Sequence, residues 1–202
     1  MTTRLIVLDI MKYKVLITLL CINSLCYGQI KNEKEFRILL PEFPKPAQNI
    51  LVFIPEKAKR IRYYKETDVE KESFEAKFKY QKHWYSVEFD ANGNLEDVEV
   101  LIKEKQIKKT IKNTIITYLK TNSDKFKIIK IQEQYVYSKT TNNIQFLNSI
   151  FKNRIQIPSR FELIVAIKTN KVWQLKEITF NQNGTFVNAR NLQQDSYEYI
   201  LY

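Results

Sequence analysis

The chain has 202 residues, a formal net charge of +11 and only two cysteines. Both cysteines, Cys21 and Cys26, fall in an apolar leader, so disulfides, thiol catalysis and cysteine metal sites are excluded from the remainder. With 33 basic residues against 22 acidic ones, the charge attracts polyanions or merely solvates the surface.

Met11 opens a second start. Lys12 and Lys14 form a short basic region, Val15 to Ile22 an apolar run, and Cys26, Tyr27 and Gly28 a small-x-small pattern before Gln29. This is the pattern of a secretory signal peptide over residues 1–28 cleaved near Gly28, and the run is too short for a bilayer span. Neither cysteine follows the small residues a lipoprotein cleavage site needs. Removal of the leader leaves 174 residues with 30 basic and 21 acidic side chains, enough for one compact domain or two small fused ones. A periplasmic or secreted location disfavours nucleic acid as partner and favours an envelope protein or an anionic envelope component.

Residues 29–45 read as a flexible leading segment, interrupted by Pro41, Pro44 and Pro46. A short helix is predicted from Pro46 to Ile54, stopped at Pro55. Four strands follow at Lys59 to Glu66, Phe74 to Gln81, Trp84 to Asp90 and Leu95 to Ile102. A second helix is predicted over Lys105 to Thr121, where Ile107, Ile111, Ile115, Tyr118 and Leu119 recur at helical spacing while Lys105, Lys108, Lys109, Lys112 and Lys120 face water. Strands are predicted again at Phe126 to Tyr137, Phe161 to Lys168, Val172 to Phe180 and Thr185 to Arg190. Between the first two lies an insertion, residues 138–159, in which Ile144, Leu147, Ile150 and Phe151 predict a short amphipathic helix, either a lid or an excursion. The aromatic tail from Tyr197 to Tyr202 is predicted to pack.

Beyond the leader there are two glycines, and they sit in one repeated phrase. Tyr85 to Val100 reads YSVEFDANGNLEDVEV and Lys176 to Ala189 reads KEITFNQNGTFVNA, so Phe89, Asn92 and Gly93 match Phe180, Asn183 and Gly184. Asn-Gly between alternating runs marks hairpins, because positive φ at the turn is tolerated best by Gly and Asn. The duplication predicts an α+β fold: a helix followed by a four-stranded antiparallel sheet, twice, joined into one longer sheet with helices on one face. Units at 46–103 and 104–202 result.

These phrases, a strand, an acidic or amide residue, x-Asn-Gly and another strand, resemble the PepSY-like proteins of the bacterial envelope, whose fold is related to that of the beta-lactamase-inhibitor protein. The resemblance spans roughly Pro46 to Arg190. It implies the tandem helix-and-sheet architecture, an envelope location and, loosely, an inhibitor-like role.

No catalytic constellation emerges. His83 is the only histidine, no activated-serine pattern is present, and no glycine loop is free to cradle phosphate. Asp90, Asn92 and Asn94 superficially match a calcium loop, yet Gly93 stands where a spacer belongs and no glutamate closes the motif, so they read as turn residues. Glu96 with Glu99, and Glu70 with Glu72, read as exposed strand and loop carboxylates. No cofactor, metal or catalytic residue is expected, and the chain is read as a non-enzyme.

Binding has a better foothold. With Tyr85, Val87 and Phe89 facing the helices, alternation turns Trp84 and Glu88 to the opposite face, and Trp173, Leu175 and Glu177 follow by the same parity. An aromatic and charged helix-free face predicts a protein or peptide partner. The alternative is a basic protein that associates with anionic lipid or polysaccharide through Lys105 to Lys120. Coverage of the tryptophans by the insertion or the tail is the competing arrangement.

Overall fold

Alternation of apolar and polar residues at period two dominates the chain, and it folds into one long antiparallel sheet. The computed structural model describes residues 30–31, 33–68, 71–152 and 156–192. The expected leader and the aromatic tail lie outside them.

The strands are β1 (Ile30–Lys31), β2 (Glu33–Ile38), β3 (Lys59–Asp68), β4 (Lys71–Tyr80), β5 (His83–Asp90), β6 (Leu95–Leu101), β7 (Lys125–Val136), β8 (Arg160–Thr169), β9 (Val172–Asn181) and β10 (Phe186–Leu192). The helices are α1 (Lys45–Leu51), α2 (Lys109–Thr121) and α3 (Asn143–Phe151). Sheet order is β1-β10-β9-β8-β7-β6-β5-β4-β3-β2, antiparallel except for the two-residue β1, which lies parallel to β10.

The helices cover one face. Phe74, Phe78, Tyr85, Val87, Phe89, Val98, Leu163, Ile178 and Phe180 point towards them from the strands, and all are buried. From the helices Ala47, Ile50, Ile115, Leu119, Leu147 and Ile150 complete the same core. Burying each large side chain contributes roughly 1.5–3 kcal/mol, which offsets the ordering of the backbone.

The stretch expected to be a flexible leading segment supplies β1 and β2 instead. The prolines that motivated that reading all follow Ile38, and β2 pairs with β3 over an unbroken register from Glu33 opposite Asp68 to Ile38 opposite Tyr63. Pro46 occupies the first turn of α1, as its fixed φ allows. The helix predicted from Lys105 begins later, at Lys109, because a 3-10 turn over Glu104–Gln106 precedes it.

The insertion is a helical excursion on the core side. Asn142 caps α3 by accepting from Ile144 N and Gln145 N. Phe151 then meets Phe78 and Tyr85 edge to face, with both ring centroids 5.6 Å away. It does not lie over the opposite face.

Gly93 and Gly184 have φ of +81° and +80°, but neither sits in a two-residue turn. Each closes a four-residue loop in which Asp90 Oδ1 or Asn181 Oδ1 accepts two backbone N–H groups. Among the described residues, Gln81-Lys82 and Asn170-Lys171 form two-residue turns, with all four residues at positive φ. A Cβ on Gly93 would lie 2.7 Å from Pro44 Cβ, and one on Gly184 would lie 2.7 Å from the Ile111 carbonyl oxygen. Glycine is therefore required twice over, for backbone conformation and for the close approach of a helix start.

Candidate functional site: an acidic cleft on the helix-free face

β1 and β2 are neighbours in sequence, separated by Asn32, yet they stand at opposite ends of the strand order. The sheet must therefore curl until its ends approach each other, because two extended residues span only about 7 Å. β2 and β10 are not paired with one another, so the ladder stays open there. Across this gap Arg190 Nη1 on β10 lies 3.6 Å from Asp68 Oδ2 at the end of β3.

The curl folds the helix-free face around a cleft of about 630 Å³. Eleven of the chain's 22 acidic residues line it, with six basic ones. A chain of net charge +11 thus concentrates half its carboxylates in one concavity. This volume lies in the usual range for ligand sites.

Pairing explains the concentration. Glu75 on β4 stands opposite Glu88 on β5, and Glu88 stands opposite Asp97 on β6. Like charges directly opposite one another normally destabilise a sheet. Here they meet two different fates.

At one end Glu35, Glu66 and Glu75 gather around a cation supplied by the fold. The Lys77 ammonium lies 2.8 Å from Glu75 Oε2 and also bonds Glu35. Ser86 donates its hydroxyl to Glu75. Burial alone would raise the Glu75 pKa, but Lys77 and these hydrogen bonds overcome it and hold the carboxyl down at about 2.

Next to it, Glu88, Asp97 and Glu99 bring three carboxylate oxygens within 4.8 Å of one another. Lys71 acts on Asp97 and Lys130 on Glu99 from the same cleft, but neither offsets the burial and mutual repulsion of the acids. Burial first, then the charge of Glu162 and other carboxylates, pushes Asp97 up to about 8. Burial and the neighbouring acids likewise push Glu88 and Glu99 well above the ordinary carboxylate range. Gln132 Nε2 donates to Glu99, and Gln134 Nε2 donates to Asp97 Oδ2 at 3.1 Å. Asp97 Oδ1 and Gln134 Oε1 are buried and receive no hydrogen bond among the described residues.

On the far wall Glu177 is only 3% exposed and accepts from Arg190 Nε at 2.9 Å. Glu88 and Glu177, anticipated as binding residues, therefore both line the cleft. Trp84, Trp173 and Leu175 have the expected parity but lie outside its lining. Trp84 pairs with Lys79 and Trp173 with Lys168, each next to a hairpin turn. β5 and β9 are four strands apart in an antiparallel sheet and run the same way, so both indoles stand at one end of the face. Trp173 is 53% exposed, whereas Trp84 and Leu175 are partly buried.

The structure corrects one sequence reading and adds two residues to the site. Glu99, read as an exposed strand carboxylate, is buried in the acidic trio. Asp97 and Glu75, which carry the electrostatics, drew no notice, although strand parity with Glu88 could have signalled them. Asp90 and Asn92 are turn residues as expected, and Asn94 donates to Asp90. His83 opens β5 with Nδ1 3.4 Å from the Leu101 carbonyl oxygen. Glu70 lies outside the described residues. Among those residues no helix is long and apolar enough to cross a membrane.

No protein-family model matches this chain, and no curated protein matches it. Solved structures resemble it at low identity. A DUF2874 family protein from Bacteroides ovatus ATCC 8483 is 10% identical over 74% of this chain and 89% of that one, with a TM-score of 0.49. Another, from Bacteroides uniformis ATCC 8492, is 13% identical over 74% and 89%, with a TM-score of 0.47. A BLIP-like protein from Bacteroides fragilis NCTC 9343 is 11% identical over 74% and 86%, with a TM-score of 0.45.

Proposed function

We propose that the chain is an exported, non-enzymatic binding module, inhibitor-like or scaffolding, which takes a protein or peptide partner on its helix-free face. The observation that carries this reading is the acidic cleft in an otherwise basic chain. Its chemistry selects a partner that presents a lysine- or arginine-bearing segment, with Trp84, Trp173 and Leu175 flanking the docked chain. The duplicated Asn-Gly phrases support a tandem PepSY-like ancestry: Gly93 packs on the start of α1, and Gly184 packs on α2. The same proposal places the chain in the periplasm or outside the cell, supported by the leader pattern of residues 1–28.

The test is a titration with hexalysine and hexaglutamate, read by the fluorescence of the two tryptophans. Hexalysine is expected to bind and hexaglutamate not; binding of hexaglutamate alone would overturn the reading. A Glu88→Gln/Glu177→Gln variant is expected to lose the response.

A second reading keeps one observation of its own. Lys105, Lys108, Lys109 and Lys120 are exposed along α2 and the turn before it, a basic strip suited to anionic lipid or polysaccharide. Attachment there would weaken steeply with added salt.

A further inference from the structure

The β4–β5 and β8–β9 hairpins carry the same short phrase around their turns. Lys79 to Trp84 reads KYQKHW and Lys168 to Trp173 reads KTNKVW, while Tyr80, Gln81 and His83 are answered by Thr169, Asn170 and Val172. Only the two lysines and the indole are kept. In each hairpin the ladder sets the first lysine between that tryptophan and a further lysine: Lys79 stands opposite Trp84 and Lys59, and Lys168 opposite Trp173 and Lys125. Residues directly opposite share a face, so both rows lie on the helix-free side. Lysines facing one another repel, and among the described residues no carboxylate pairs with any lysine of either row. The turn lysines, Lys82 and Lys171, are held at φ of 70° and 66°, where asparagine or glycine is less strained. Unbalanced charge and backbone strain are thus retained twice at the same place.

We infer that Lys79, Lys82 and Trp84, with Lys168, Lys171 and Trp173, are two copies of one subsite for an acidic polysaccharide whose sugar rings carry carboxylates. A uronic acid presents a CH face that packs on an indole and a carboxylate that neighbouring ammonium groups hold. Trp173, 53% exposed, is open to such a ring. β5 and β9 are four strands apart, roughly 19 Å across the ladder, so a single sugar reaches one subsite and a polymer reaches both. A repeated site fits a repeating ligand. None of these residues lines the acidic cleft, so the subsites go beyond the protein-binding reading and do not rest on it. Carboxylates of that cleft oppose a broad anionic membrane pressed on the same face, whereas a narrow chain follows the lysine rows.

The experiment is calorimetric titration of the full chain with polygalacturonate, digalacturonate, hexaglutamate and phosphatidylglycerol vesicles at about 0.15 M salt. Polygalacturonate is expected to bind at least about tenfold more tightly per uronate than digalacturonate, and hexaglutamate and the vesicles not to bind. Lys82→Gly/Lys171→Gly is expected to weaken polygalacturonate binding at least about tenfold while its melting temperature rises, which separates lost binding from lost folding. Lys108→Gln/Lys109→Gln on the other basic strip leaves binding unchanged. Absence of polygalacturonate binding, equal binding of hexaglutamate or the vesicles, or undiminished binding in Lys82→Gly/Lys171→Gly would each overturn the inference.

Discussion

Arg190 and Asp68 lie 3.6 Å apart across the gap between the two ends of the sheet, although six strands separate β10 from β3 in the ladder. The same guanidinium bonds Glu177 on the neighbouring strand. Arg190 thus ties the curl of the sheet to a buried carboxylate on its wall.

Asp68→Asn should cost less than about 1 kcal/mol, since both partners are more than a quarter exposed and the pair is long. Arg190→Met should cost more, about 2–3 kcal/mol, because the cation leaves a nearly buried Glu177. Urea unfolding of the two variants gives the comparison.

Gly93→Ala and Gly184→Ala should each destabilise by about 2 kcal/mol or more, since positive φ and a clash with a helix start act together. Melting temperatures check this. Lys82→Gly and Lys171→Gly should instead stabilise by roughly 0.5–1 kcal/mol, because exposed turns there hold side chains at φ of 70° and 66°.

The Glu75–Lys77 pair sets a pH dependence. The Glu75 carboxyl is held at about 2 in the folded chain, below its unfolded value of about 4.3. Its contribution is present above the unfolded value and is lost as pH falls through about 2. Lys77→Met should cost about 3–5 kcal/mol at pH 7, by leaving buried carboxylates without their cation. That deficit should shrink as the pH is lowered through the carboxylate range, where the acids take up protons. Denaturant melts at pH 7 and pH 4 compare the two.

Phe151→Ala should cost about 3–5 kcal/mol, because α3 seats that ring against Phe78 and Tyr85. An insertion acting only as a surface flap would lose far less.

Much of the fold was legible because period-two alternation and the helical spacing of Ile111, Ile115 and Leu119 are local signals. β2 was hidden by the prolines beside it, although Glu33 to Ile38 contains none. The site was half legible. Parity alone placed Glu88 and Glu177 on the helix-free face. The acidic trio depended on which residue of β6 stands opposite Glu88, and a register shift between Glu88 and Phe89 intervenes there. Curling of the sheet rests on contacts between distant strands, such as Arg190 with Asp68, and no local pattern announces them.

Site-specific photocrosslinking in envelope extract asks whether the helix-free face receives the partner. A benzophenone amino acid at position 173, on that face, is compared with one at position 117 on the exposed side of α2. One discrete adduct is expected from position 173, competed away by hexalysine, and none from position 117. An adduct from position 117 alone would contradict it.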